Sequence, residues 1–229
     1  PADAREPAEY EADGGLLRDH DVAHVVVKEA FVTASTPEEN IDSPASWLQD
    51  GKRMLVASAK ATDQLVVYDG DTGQRLRTVG GTGTALGQLQ RPNGVATIDD
   101  RYLFVVERDN HRVQMFQLPD FTPLLAFGQE QLQQPYGLWV QPKGEGYEVL
   151  VSDAYMAGED AQGEDIIPPL AQLDRRFRRY ELTQAGGKWT AAELAGYAVK
   201  ERAPIRFKYN DWDITTAPPV SSGGIALAQ

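Results

Sequence analysis

What most limits how this chain can fold is a block that returns, with variation, about every 45 residues. Its fullest copy runs Arg91-Pro92-Asn93-Gly94-Val95-Ala96, then from Leu103 through Val105, Glu107, Arg108 and His111 to Phe116. An upstream copy reads Ser43-Pro44-Ala45-Ser46-Trp47, then Met54 to Lys60, then Gln64 to Asp69. A downstream copy reads Gln134-Pro135-Tyr136-Gly137-Leu138-Trp139-Val140, then Glu148 to Asp153, then Arg178 to Leu182. Each copy supplies a turn with Pro, a short apolar strand, a polar loop and a second strand closing near an aromatic. Repeats of this length and cadence build the blades of β-propellers. The expected fold is therefore all-β: a partial propeller of about three blades, followed by a short α/β tail. Val56, Val105 and Val151 are expected on equivalent inner strands. Three blades fall short of the four or so that close a ring. An open arc is expected, completed by self-association or by the tail.

Three regions follow from the pattern. Residues 1–22, rich in Ala and Glu, read as a flexible leader. Residues 23–187 hold the blades, led by a strand over His24–Val32. Residues 188–229 break the cadence, and Thr190 with Glu193 makes a capping box that predicts a helix near 190–196. Asp69-Gly70-Asp71-Thr72-Gly73 predicts a hairpin turn. The glycine-rich run from Gly80 to Gly87 lacks the Lys and helix of a phosphate cradle, and reads as the link between blades. The acidic run Gly158 to Asp165 reads as a solvated loop, with calcium binding as the alternative.

Composition removes several functions. Without cysteine there is no disulfide, thiolate metal site or Cys nucleophile. A net charge of -12 argues against a nucleic-acid partner, because phosphate backbones require clustered cations. No apolar run is long enough to cross a membrane as a helix. The first residues carry no apolar signal core, and a leader of this kind suits a mature exported protein. A periplasmic or extracellular bacterial location is expected. One basic cluster stands out, Arg175-Arg176-Phe177-Arg178-Arg179. It reads as a guarded edge strand in preference to an anion site.

Three histidines, His20, His24 and His111, are too scattered for a transition-metal site. What remains is a set of polar residues at matching blade positions. Lys60 follows the apolar strand of the first copy, Glu107 and Arg108 that of the second, and Asp153 that of the third. Tyr136 precedes the apolar strand of the third. Lys60 and Arg108 can grip a phosphoryl group, and Asp42, Glu107 and Asp153 are hard oxygen ligands suited to calcium. Together they outline metal-assisted attack of water on phosphorus. The competing reading is a set of loop polars in a binding propeller.

Residues from about 30 to 185 resemble the β-propeller phytases, a calcium-dependent, six-bladed family. Asp42-Ser43-Pro44-Ala45-Ser46-Trp47 is similar to that family's Asp-Asp-Pro-Ala-x-Trp signature, with Ser43 in place of the second Asp. Val56 to Lys60 followed by Leu65 to Asp69 resembles its first-blade pattern, whose Lys contacts phosphate. Glu107-Arg108 is similar to an Asn-Arg pair whose Arg binds phosphate, and Tyr136-Gly137 to a Tyr-Gly pair lining the site. The family's Lys-Glu pair after the third strand reads Asp153-Ala154-Tyr155 here. The resemblance implies calcium-assisted hydrolysis of a phosphorylated small molecule such as phytate. Lys60, Arg108 and Tyr136 would be catalytic, and Asp42, Glu107 and Asp153 would hold the metal, with some ligands and blades missing. The middle copy also resembles the NHL repeat, which implies a non-catalytic binding propeller. Trp189 to Gln229, with its Pro218-Pro219-Val220-Ser221-Ser222-Gly223-Gly224 string, resembles a segment of the large subunit of γ-glutamyltranspeptidases. In that family the catalytic Thr lies downstream of such a segment. Thr215-Thr216 is followed here by Ala217, so the nucleophile motif is not formed.

Overall fold

The computed structural model describes residues 28–185 and 187–194, together with strands at 205–209 and 212–216. The chain divides into two units between Ala195 and Gly196. The first unit carries three four-stranded antiparallel sheets. The first sheet holds β1 (Ile41–Gln49), β2 (Lys52–Ala59), β3 (Gln64–Asp69) and β4 (Arg75–Gly80). The second holds β5 (Pro92–Ile98), β6 (Tyr102–Glu107), β7 (Arg112–Gln117) and β8 (Thr122–Phe127). The third begins with β9 (Pro135–Lys143) and β10 (Gly146–Asp153). A small hairpin, β11 (Gly158–Glu159) with β12 (Asp165–Ile166), and a 3-10 turn, Leu170–Arg175, follow. The sheet then resumes with β13 (Phe177–Ala185) and β14 (Lys188–Glu193). In the second unit, β15 (Ile205–Tyr209) pairs antiparallel with β16 (Trp212–Thr216).

The three sheets are propeller-like blades in one arc. Their first strands are neighbours, β1 beside β5 and β5 beside β9, so these strands are innermost. This corrects the placement of Val56, Val105 and Val151. They lie on β2, β6 and β10, which are equivalent to each other but second from the axis. The segments read as Pro turns are themselves the inner strands. Proline is tolerated there because each inner strand pairs on one side only and Pro92 and Pro135 are first residues.

Burial explains the apolar patterns. β6 is buried along its whole length because sheets cover both of its faces. Leu103 and Val105 pack with Trp47, Val56 and Leu65 of the first sheet. Tyr102, Phe104 and Val106 pack with Tyr147, Val149 and Val151 of the third. Each fully buried aliphatic chain contributes about 1.5–3 kcal/mol through area removed from water. β10 alternates instead, with Glu148, Leu150 and Ser152 less buried than their neighbours, as expected for one covered face.

Several expectations are corrected. Residues 28–32 form no strand, and 24–27 lie outside the described residues. The helix near 190–196 is a strand through Glu193. A capping box contributes about 1 kcal/mol. Here it loses to pairing with β13 and to Trp189, which stacks on Tyr147 at 5.5 Å and meets Tyr102 edge-on at 5.6 Å. The boundary drawn at 187/188 therefore falls inside the third sheet. The leader over 1–22 and the Pro-Pro-x-Ser-Ser-Gly-Gly string at 218–224 lie outside the described residues. The basic cluster falls at the 3-10 turn and the start of β13, ahead of residues 180–185, which pair with β14.

Other readings hold. The 69–73 turn forms, with Asp69 Oδ1 accepting from the Asp71 and Thr72 amides at 3.0 and 2.8 Å. The glycine-rich run links the first sheet to the second. Arg112 clamps it by donating to the Thr84, Ala85 and Gln88 carbonyls at 2.7, 3.1 and 2.9 Å. In the acidic run, Asp160 Oδ1 accepts from the Gln162 and Glu164 amides at 2.8 and 2.9 Å, which makes a hairpin turn.

Candidate functional site at the bulged ends of the inner strands

The same irregularity recurs in every blade. Between β1 and β2 the register slips from Ile41↔Ala59 to Pro44↔Ala57. Between β5 and β6 it slips from Pro92↔Glu107 to Val95↔Val105. Between β9 and β10 it slips from Pro135↔Asp153 to Leu138↔Val151. Each inner strand thus carries one extra residue, a β-bulge, at Asp42-Ser43, Asn93-Gly94 and Tyr136-Gly137. Bulges re-aim side chains and are frequent beside functional sites. By register, Asp42, Asn93 and Tyr136 are equivalent, all at one end of the arc.

The residues just past the second strands are equivalent too. Lys60, Arg108 and Ala154 each donate a backbone N–H to the residue before their own inner strand. The acceptors are Asn40, Arg91 and Gln134, at 3.1, 3.1 and 2.8 Å. Lys60 and Arg108 therefore stand at the same end of the arc, as expected, and the third blade has no cation at that place.

The expected catalytic group is partly assembled. Lys60 Nζ donates to Tyr136 Oη at 3.3 Å and pairs with Asp42 Oδ2 at 2.9 Å, joining the first blade to the third. It also lies 5.3 Å from the centre of the Tyr136 ring. Burial of Lys60 works to lower its pKa. The hydrogen bonds to Asp42 and Tyr136 outweigh this and hold it above the ordinary lysine value. Lys60 is thus a buried cation, while Tyr136 is exposed and Arg108 half-buried.

The expected metal ligands do not assemble. Glu107 is fully buried and surrounded by donors. It accepts from the Gln90 amide at 3.1 Å, Asn110 Nδ2 at 2.5 Å, Arg112 Nε at 2.6 Å and Gln114 Nε2 at 2.6 Å. Asp153, also buried, accepts from the Gln133 and Gln134 amides at 3.0 and 2.7 Å. These two carboxylates occupy equivalent positions and pin the chain leading into β5 and β9. In the first blade Ala59 stands there, and Glu39 supplies the anchor through a two-pronged pair with Arg75 at 2.6 and 2.7 Å. Asp42 alone of the expected ligands is half-exposed, and it is paired with Lys60. No group of three metal-ligating side chains occurs among the described residues. The described donors do not fit a calcium ion, since backbone and guanidinium N–H groups already hold the carboxylates.

Sequence reasoning missed Asn93. Its side chain is fully buried, and both its amide nitrogen and its oxygen lack a hydrogen-bond partner. A buried amide in that state costs about 1–3 kcal/mol. The signal was present as Asn93-Gly94, but aligning the copies on Pro44, Pro92 and Pro135 hid it. Pro44 follows its bulge, whereas Pro92 and Pro135 precede theirs. Gly94 is required there: a Cβ would lie 2.8 Å from the Tyr136 carbonyl oxygen.

No protein-family profile and no curated protein sequence matches the chain. Among solved structures it is similar to the hydrazine synthase of Kuenenia stuttgartiensis, at 13% identity and a TM-score of 0.37, over 71% of this chain and 52% of that one. It is also similar to the WD40 domain of SCAP from fission yeast, at 9% identity and a TM-score of 0.39, over 73% of this chain and 41% of that one. The chain spans about half the length of these structures. By its own repeated sheets, the described part of the chain is an all-β, β-propeller-like fold.

Proposed function

We propose that this chain is a ligand-binding propeller segment that takes a phosphorylated small molecule at the bulged end of its arc, without metal-assisted hydrolysis. Asn93 carries the reading: a fully buried amide with no partner, in register with Asp42 and Tyr136. A phosphate monoester offers acceptors to the amide nitrogen and, when singly protonated, a donor to the amide oxygen. Lys60 and Arg108 supply positive charge at the same end of a chain whose net charge is -12. The resemblance to phytases places a Lys, an Arg and a Tyr at these positions. Hydrolysis is left out because Glu107 and Asp153 hold the fold together.

Calorimetric titration with phytate, with and without calcium, tests this. Saturable binding independent of calcium is expected. Arg108→Ala should weaken it by at least tenfold, because a charged hydrogen bond contributes about 1.5–3 kcal/mol. Asn93→Leu should weaken it without lowering stability, since it removes an unpaired amide. Absence of binding, or unchanged affinity in both variants, would overturn the reading. Calcium-dependent phosphate release lost in Lys60→Met would restore the hydrolase.

A further inference from the structure

The insertion in the third blade builds a feature that the bulged end does not use. Second and third strands are joined by residues 60–63 in the first blade and 108–111 in the second, but by 154–176 in the third. Long connections inside compact domains are commonly functional. This one lines a half-open cavity of about 380 Å³, adjoined by a shallower one of about 410 Å³ that shares Gln133, Tyr155 and Met156. The common wall is held in place. The Tyr155 hydroxyl donates to the Gln172 carbonyl, and the Arg176 guanidinium covers the Tyr155 ring at 4.7 Å.

The lining of the first cavity combines apolar surface with cations. Met156, Pro168 and Ala171 form one part, and Arg175 and Arg178 another. Arg178 donates Nη1 to Glu193 at 2.6 Å, while its Nε is buried without a hydrogen-bond partner. Arg175 is exposed and meets Asp174, the one acid lining this cavity among the described residues, only at 4.0 Å. One guanidinium is therefore partly engaged by Glu193 and the other carries a loosely held charge. Both stand beside an apolar wall in a chain of net charge -12. The basic cluster thus has a place in the fold that suits an anion.

We propose that this cavity binds a small organic carboxylate with a flat apolar body. The carboxylate lies between Arg175 and Arg178, and the body lies against Met156 and Ala171. Guanidinium groups match carboxylate geometry, and apolar walls with few polar groups set the ligand class.

The test is calorimetric titration with benzoate, against benzyl alcohol and benzylamine. Benzoate should bind saturably at 1:1, with the neutral and cationic analogues at least tenfold weaker. Arg175→Gln should weaken benzoate about tenfold at unchanged melting temperature, since Arg175 is exposed. Ala171→Trp, at an exposed position on the cavity wall, should abolish binding by filling the space. No saturation by benzoate, equal affinity for benzyl alcohol, or full affinity in both variants would overturn the proposal.

Discussion

Replacing Glu107 with Ala should destabilise the protein severely, whatever it does to ligands. The carboxylate is fully buried, and its strongest partner, the Arg112 guanidinium, is 7% exposed. Truncation strands that guanidinium without a counter-charge, together with the Gln90 amide and the Asn110 and Gln114 side-chain amides. Breaking a buried ion pair from one side costs about 3–5 kcal/mol. Domains are stable by only about 5–15 kcal/mol, so a large part of the total is at stake. At about 2–4 °C per kcal/mol for a unit of this size, the melting temperature should fall by roughly 10 °C. Urea titration followed by tryptophan fluorescence measures the free-energy loss, since Trp47 and Trp189 report the two inter-sheet cores. Glu107→Leu with Arg112→Met should recover much of the loss, because an apolar pair can replace a buried ion pair. Recovery should stay incomplete, since Arg112 also donates to three carbonyls of the glycine-rich link. A loss below about 1 kcal/mol in Glu107→Ala, joined to a lost calcium response, would refute this account and return Glu107 to the metal-binding role.

Gly94→Ala should cost about 1–3 kcal/mol by overpacking, because the new Cβ meets the Tyr136 carbonyl at 2.8 Å and Gly137 Cα at 3.0 Å, backbone atoms that cannot rotate away. Chemical denaturation checks it, and parental stability would show that the inner strands are not so close. Glu39 is held below the ordinary carboxylate range chiefly by its hydrogen bonds to Arg75, against the opposing effect of burial. A depressed folded-state pKa contributes stability above the unfolded value, near 4.3, that is lost as pH falls through the folded one. Urea midpoints of the parent and of Arg75→Ala should therefore converge toward pH 3, and a constant gap would contradict this. Trp189→Ala should cost about 2–3 kcal/mol through its lost contacts with Tyr102 and Tyr147. A negligible cost would detach β14 from the third sheet.

Local signals determined much of this protein. Repeated Pro-strand-loop-strand blocks were enough for three all-β blades, because strand patterning and turn chemistry depend on near neighbours. The 69–73 turn and the linking role of the glycine-rich run were legible for the same reason. So was the common end shared by Lys60 and Arg108, since equivalent strand ends converge in a repeat fold. Tertiary structure decided the rest. Glu107 and Asp153 read as ligands because their neighbours in sequence are polar loops, but the chain segments packed over them make them buried anchors. Residues 190–193 carry a helix signal that pairing with β13 overrides. In each case the outcome is set by what lies across from a residue in space, and a single sequence does not contain that partner.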